Sequence, residues 1–417
     1  MLDLKLIRAD SDAVRAALAR RGPEATAGLD RVLELDLRRR ELLPELEGLR
    51  GEQNEANGRI SSAPDARARE REIAAMRAVA GRVKELERDL AGVQEQLQQA
   101  LAPLPNLPDP SAAPGPEDEL VRTVGEPPSF TFEPRDHLEL AGPAIDIERA
   151  ARLSGARFAY LLGDLVLLEL ALVRWTLEIL RSHGFQPVIP PVLVREQALY
   201  GTGFLPDTEQ QIYSLGEDDL YLLGTSEVAL ASLHAEEVLA PERLPLRYAG
   251  FSPCFRREAG AAGKDTRGIF RVHQFDKVEM FSFVAPADST AEHERILAIE
   301  EQILTALGLA YRVVNIAVSD LGNSAAKKYD CEAWLPSYDA YRELTSCSNT
   351  TDYQARRLNV RVRAQRGTEP PHTLNGTAVA VGRTLVALLE NGQQADGSVV
   401  LPEVLTPYGA PARLAPA

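Results

Sequence analysis

The stretch IFRVHQFDKVEMF (269–281) carries Arg271, His273, Phe275, Lys277, Glu279 and Phe281 at alternate positions. Side chains on a strand alternate between faces, so an extended chain here gathers a guanidinium, an aromatic ring and a carboxylate on one face. The opposite face holds Phe270, Val272, Gln274, Asp276, Val278 and Met280, and on a preceding strand Arg256 and Glu258 also share a face. A planar guanidinium fork suits phosphate or carboxylate, and an aromatic ring beside it suits a flat ligand. Alternating charges usually mark a sheet with one solvated face, and spacing alone favours that reading; Phe275 and Phe281 among them are what it leaves unexplained. Other chemistries are argued against by spacing. GAAGKD (260–265) is not a phosphate loop, because Gly263-Lys264 is followed by Asp265 rather than Ser or Thr. Cys254, Cys331 and Cys347 form no CxxC pair, and neither His234 nor His293 begins an HExxH pattern, so no structural zinc is expected.

The elements that must position these residues follow from pattern. Residues 247–256 and 269–284 read as two strands joined by the loop REAGAAGKDTRG (257–268). Residues 155–183 read as one long helix ended by Gly184, apolar on nearly every side and hence buried or at a subunit interface. FQPVIPPVL (185–193) follows as an extended strand whose prolines restrict it to an edge or an interface. The N-terminal region carries two heptad seams. One runs Leu35, Arg39, Leu42, Leu46, Leu49, Gln53, Ala56, Ile60; the other runs Ile73, Met76, Ala80, Val83, Glu87, Leu90, Gln94, Leu97, Leu101. Separated by SSAPDARA (61–68), they predict an antiparallel coiled-coil hairpin with arms of roughly 45 Å, kinked locally at Pro44. Pattern alone favours an oligomerisation coiled coil. APLPNLPDPSAAPGPE (102–117) is rich in proline and reads as a linker.

The chain has 417 residues and a net charge of −15, which argues weakly against a nucleic-acid partner. The distribution softens that objection, because residues 1–100 contain 18 Lys+Arg against 19 Asp+Glu, and 16 of the basic residues are Arg. No apolar run approaches the roughly 18 residues of a membrane span, and the start MLDLKLIRAD lacks a secretory pattern. Sparse cysteines fit a cytoplasmic location.

Several stretches together resemble the seryl-tRNA synthetase family of class II aminoacyl-tRNA synthetases. FRREAG (255–260) with RGIFRVHQFDKVEMF (267–281) is similar to motif 2, and the helix 155–183 with Pro190 is similar to motif 1. TLNGTAVAVGRTLVALLEN (373–391) resembles motif 3, GTSEVAL (224–230) the serine-binding loop, and ELTSCSNTTDYQARR (343–357) a further seryl-enzyme signature. The paired heptads resemble the tRNA-binding arm. The resemblance implies an α+β fold: an N-terminal antiparallel coiled-coil arm (1–105), a linker (106–118) and a class II catalytic domain (119–417) with a mainly antiparallel sheet flanked by helices.

It also implies roles. Arg256 matches the motif 2 arginine on the α-phosphate of ATP, Arg271 the residue at the γ-phosphate, and Arg383 the motif 3 arginine that sandwiches adenine against Phe275. Glu258 would face the adenine amino group, and Arg257, Val272, Leu344 and Thr345 complete the expected nucleotide positions. Glu343 and Ser346 match the positions that hold Mg²⁺ with the phosphates. Thr225, Ser226 and Glu227 match the loop that holds the α-ammonium of L-serine, with Asn375 beside them, and Glu279 and Thr377 match the grip on its hydroxyl. The implied protein is a homodimer that binds tRNA(Ser) through the arm, with tRNA(Sec) a second acceptor where the organism has one. Two rivals are a related ligase that loads a carrier protein and a non-catalytic paralogue. The intact heptads count against the first, and retention of Arg256, Arg383 and Glu279 counts against the second.

Overall fold

The structure, a computed structural model, describes every residue except 207–210, 260–264 and 266. Two compact units are present, Leu2–Leu104 and the larger Pro105–Ala417, the latter with Met1.

The smaller unit is dominated by α1 (Leu29–Ser61) and α2 (Ala66–Leu101). Their contacts run in opposite directions: Arg31 reaches Gln96, Arg82 reaches Glu45, Arg50 reaches Glu87, and Arg59 reaches Glu72. The pair is therefore an antiparallel hairpin. Leu42, Leu46, Val83, Leu86 and Leu90 form its central apolar cluster, each leucine contributing roughly 1.5–3 kcal/mol by burial. The second seam departs from the heptad expectation at several positions: Ile73 and Gln94 are exposed, Val93 packs against the cluster, and the clearest case is Glu87. Leu86 is buried, whereas Glu87 is exposed and bridges to Arg50, because a carboxylate gains nothing inside an apolar seam when a cation lies at its rim. α1 continues as one helix through Pro44, which lacks a single N–H and leaves the neighbouring turns bonded. Asp65 caps α2, its carboxylate accepting from the Ala68 N–H at 2.7 Å.

The larger unit is built on one eight-stranded sheet. In chain order its strands are β1 (Glu119–Val124), β2 (Gln186–Val188), β3 (Leu246–Phe255), β4 (Gln274–Val284), β5 (Tyr311–Asn315), β6 (Lys327–Leu335), β7 (Ala340–Thr351) and β8 (His372–Ala380). Their spatial order is β1-β5-β6-β7-β8-β4-β3-β2, and every pair is antiparallel except β2 with β3. Helices α3 (Asp164–Ser182), α4 (Ser289–Ala306) and α5 (Val381–Gly392) share a core with the sheet in which Leu168, Trp175, Ile296, Ile303, Leu385 and Leu389 meet Val278, Met280, Cys347 and Ala378. All three cysteines are buried and free.

Three expectations need correction. α3 starts at Asp164 rather than 155, because Gly155 and Gly163 take positive φ (96° and 60°) and the chain between them forms part of a two-stranded ribbon. Its end is where Gly184 predicts, with the Gly184 N–H bonding Arg181 and the Phe185 N–H bonding Leu180. The extended segment after it is interrupted, pairing at Gln186–Val188 and again at Leu193–Arg195. Finally, β4 begins at Gln274, so 269–273 is not strand and its side chains do not follow the alternation read from sequence.

Within the proline-rich stretch, Asn106 donates to the Ser324 and Thr350 carbonyls at 2.9 and 2.8 Å, and Ala112 joins Val314, Ile316 and Val318 in an apolar cluster. The tip expected at 257–268, with GAAGKD inside it, includes 260–264 and 266, which lie outside the described residues. Among the described residues no helix is long and apolar enough to cross a membrane.

Candidate active site

One cavity of about 680 Å³ opens in the larger unit. Its walls come from the loop at Gly224, the end of β3, the irregular segment 269–272, the faces of β4, β7 and β8, and the first turn of α5. The sheet register makes one end polar and enclosed. Glu279 of β4 lies directly opposite Thr377 of β8, where the pairing shifts register after Val278. Thr377 donates to the Glu279 carboxylate at 3.3 Å. Lys277, two residues back on the same face, pairs with that carboxylate and donates to the Thr225 hydroxyl at 2.7 Å. Glu227, on the short helix Glu227–Ala231, accepts from Gln354 at 2.7 Å and Asn375 at 3.0 Å. Burial pushes the Glu227 carboxyl up to about 7, and Glu279 adds to the effect; the Gln354 hydrogen bond, Lys277 and Arg256 oppose it.

The other end is cationic. Arg256 donates to the Gly224 carbonyl at 3.1 Å, and its guanidinium lies 5.3 Å from the centre of the Phe275 ring. Arg271 pairs with Glu258 at 2.6 Å and approaches Asp265 at 3.5 Å. Glu258 has a positive φ of 48°, a strained backbone for a residue with a side chain, placed where the chain leaves β3. Arg383 donates to the Glu343 carbonyl at 2.9 Å and stacks 4.8 Å from the Phe270 ring. Burial would push the Glu343 carboxyl up, yet Arg383, Lys328 and Arg256 outweigh it and hold the group below the usual range. Such an arrangement can hold a polyanion at one end and a small zwitterion with a hydrogen-bonding side chain at the other.

A curated Serine--tRNA ligase from Streptomyces coelicolor is 52% identical over 416 residues, covering 98% of this chain and 97% of that protein. The chain belongs to the seryl-tRNA synthetase family. The Seryl-tRNA synthetase N-terminal domain matches residues 1–108, and the tRNA synthetase class II core domain (G, H, P, S and T) matches residues 211–392. A Serine--tRNA ligase from Acidothermus cellulolyticus is 51% identical, covering 98% of each chain. Among solved structures, seryl-tRNA synthetase from Pyrococcus horikoshii complexed with ATP superposes with a TM-score of 0.93 at 40% identity, covering 100% of both chains. The cytoplasmic Serine-tRNA ligase from Naegleria fowleri in complex with AMP gives 0.86 at 33% identity, covering 99% of this chain and 98% of that one.

Of the residues singled out as seryl-tRNA synthetase positions, Thr225, Glu227, Arg256, Glu258, Arg271, Val272, Phe275, Glu279, Glu343, Leu344, Ser346, Asn375, Thr377 and Arg383 all line the cavity. Three do not. The Ser226 hydroxyl is buried against Ser252 at 2.8 Å, Thr345 turns away to donate to Glu300 at 2.9 Å, and Arg257 meets Gln211 through its backbone N–H at 2.9 Å. Phe281 lies on the same face of β4 as Glu279, opposite Asn375, but beyond the cavity, where it packs with Leu230, Tyr248 and Phe283. Arg383 stacks on Phe270 and Arg256 on Phe275.

Sequence reasoning missed Lys277, Phe270, Lys328 and Gln354. Lys277 was visible on the alternating face between Phe275 and Glu279. Strand alternation puts Phe270 on the opposite face, but 269–273 is irregular and Phe270 lines the cavity. Gln354 sits inside the quoted TTDYQARR stretch, with no spacing signal that it would reach Glu227. Glu343 and Ser346 are two hard oxygen donors at the cavity wall, and the cations around Glu343 keep it ionised, which fits Mg²⁺ held with substrate phosphates and water. Among the described residues no group of three or more His, Cys, Asp or Glu could hold a metal by itself.

Proposed function

We propose that this cavity performs the adenylation step, with its acidic end reading serine and its cationic end handling ATP. As a serine–tRNA ligase, the chain activates L-serine with ATP to seryl-adenylate and pyrophosphate, then transfers serine to the 3′ end of tRNA(Ser). The serine carboxylate attacks the α-phosphorus and the bond to pyrophosphate breaks. Two anions approach in this step, so catalysis requires fixed positive charge rather than a base, the carboxylate being ionised near pH 7. Arg256 neutralises charge at the α-phosphate and Arg383 stands beside the nucleotide. Arg271 takes the γ-phosphate once it leaves Glu258. Phe275 offers its ring to adenine, while Glu258, Val272 and Leu344 line the same end. Mg²⁺, held by Glu343 and Ser346, would supply further charge neutralisation on the phosphates.

At the acidic end Thr225 and Glu227 hold the α-ammonium, with Asn375 fixing Glu227, and Glu279 with Thr377 grips the hydroxyl. The observation that carries the reading is the cross-strand Glu279–Thr377 pair set in the same cavity as Arg256 and Arg383. A clamp built for a hydroxyl rejects alanine and glycine because its own polar groups are then left unpaired. ATP–pyrophosphate exchange across the twenty amino acids tests it: exchange with serine alone is expected, and preference for any other amino acid overturns it.

The hairpin of α1 and α2 binds the tRNA. Support comes from exposed Arg67, Arg69, Arg71 and Arg77 along α2, which suit backbone recognition of a folded RNA. The chain acts as a homodimer in the cytoplasm. Leu167 and Leu170 on α3 and Ile189 after it are 51%, 57% and 83% exposed, more apolar surface than an isolated helix face favours. Sedimentation of the purified chain tests the dimer.

A further inference from the structure

The acidic end of the cavity holds a cation that none of the roles above uses. Lys277 is only 5% exposed, and an ammonium that deep costs several kcal/mol unless it is paired. It is paired twice, with the Glu279 carboxylate and with the Thr225 hydroxyl at 2.7 Å, two of the groups assigned to the substrate. Glu227, 9% exposed, is the second carboxylate of the pocket, held from behind by Gln354 and Asn375.

Consider the pocket without Lys277. Two buried carboxylates facing a small space form a trap for any ammonium, which gains most by bridging both. Every amino acid carries that ammonium, so such a trap reads nothing about the side chain. A lysine bound to one carboxylate removes the ambiguity. Glu279 then already has its cation, and its remaining lone pairs are best used by a neutral donor such as a hydroxyl. Among the described residues no lysine pairs with Glu227, which keeps its attraction for the substrate ammonium.

We propose that Lys277 is a specificity-determining positioning residue: by pairing with Glu279 it reserves that carboxylate for the serine hydroxyl and directs the substrate ammonium to Glu227. The inference rests on the reading of Glu279 and Thr377 as the hydroxyl clamp. Electrostatics agree with the geometry. The charged groups acting on Glu227 are Glu279, which raises its proton affinity, and Lys277 and Arg256, which lower it. Loss of Lys277 leaves Glu227 protonated to higher pH, so near neutrality the ammonium is drawn to Glu279 and the hydroxyl loses its clamp.

The test uses the full-length enzyme in serine- and alanine-dependent pyrophosphate exchange, with Lys277→Met, Glu279→Gln and the double variant. Lys277→Met is expected to raise KM for serine at least about 10-fold while KM for ATP changes less than about twofold, and to cut the serine-to-alanine ratio of kcat/KM by about 10-fold or more. Its KM for serine should also reach its plateau at a higher pH than in the wild type. Because Lys277 acts through Glu279, the double variant should discriminate no worse than Glu279→Gln alone. That comparison stands even where Lys277→Met alone does not fold, since the double variant removes both charges of the buried pair together. A Lys277→Met enzyme with the wild-type ratio and pH profile overturns the proposal, as does a double variant that discriminates worse than Glu279→Gln. Failure of the wild-type enzyme to exchange with serine would instead sink the adenylation reading itself.

Discussion

Arg256→Ala separates the energetics of folding from those of catalysis. Among the described residues the Arg256 side chain makes one hydrogen bond, to the Gly224 carbonyl at 3.1 Å, and one cation–π contact, 5.3 Å from the Phe275 ring. A hydrogen bond of this kind contributes roughly 0.5–1.5 kcal/mol and a cation–π contact about 0.5–1 kcal/mol. The Gly224 carbonyl borders the cavity, so water can replace the lost donor. The folding cost is therefore about 1–2.5 kcal/mol, against a typical stability of roughly 5–15 kcal/mol. The catalytic cost is larger. Removing one fixed donor at a developing anionic centre costs about 10²–10³ in kcat, roughly 2.7–4 kcal/mol. The expected variant is folded and binds serine, yet exchanges pyrophosphate at least about 100-fold more slowly. Arg256→Lys should recover only part of the loss, since an ammonium keeps the charge and not the planar fork. Circular dichroism melting together with serine-dependent pyrophosphate exchange reads both quantities. Exchange near the wild-type rate in a folded Arg256→Ala protein would show that the transition-state charge is stabilised elsewhere.

Glu279→Ala should raise KM for serine about 10²-fold or more while ATP binding measured alone stays within a few-fold, because the hydroxyl clamp is lost and the cationic end is untouched; equal losses for both ligands would refute that role. With the Glu227 carboxyl raised to about 7, its ionised form, which attracts the serine ammonium, is lost as pH falls through 7. KM for serine should therefore rise about tenfold per unit below pH 7 and flatten above it, and Glu227→Gln should abolish that dependence; a flat wild-type profile between pH 6 and 8 refutes it. The raised value also means that ionising Glu227 weakens the fold: stability from this group is intact below its unfolded value of 4.5, falls as pH rises toward 7, and is level beyond, measurable as the difference in melting profiles between wild type and Glu227→Gln. Deleting residues 30–100 removes the hairpin where Arg31 and Gln96 lie 2.8 Å apart, so the remaining ends rejoin over a short gap. The deletion should keep most pyrophosphate exchange and lose tRNA charging, chiefly through KM, while full-length tRNA affinity falls steeply with salt; charging equal to the full chain would reassign the hairpin to structure or dimerisation.

What the sequence determined by itself was whatever depends on local period or on several motifs coinciding in order. Apolar steps of three and four are a property of the helix surface, so the antiparallel hairpin was legible from Leu42, Leu46, Val83 and Leu90, and Gly184 fixed the end of α3 because a left-handed turn there wants no side chain. The motif set located most of the cavity wall, including Glu279 and Thr377, although nothing local says that residues 98 apart become cross-strand partners. Tertiary structure decided the rest. Alternation predicts faces only while the ladder lasts, and β4 starts at Gln274, so Arg271 and Phe270 both reach the cavity from irregular chain. Leu86 replaced Glu87 in the seam because Arg50 on the facing helix offered the carboxylate a partner at the rim. Ser226 and Thr345 sit within the right motifs yet turn to Ser252 and Glu300, since a buried hydroxyl takes whichever partner the packing brings near. Lys277 and Gln354 entered the site for the same reason: their partners, Thr225 and Glu227, are supplied by chain far away in sequence, and only the folded sheet sets the distances between them.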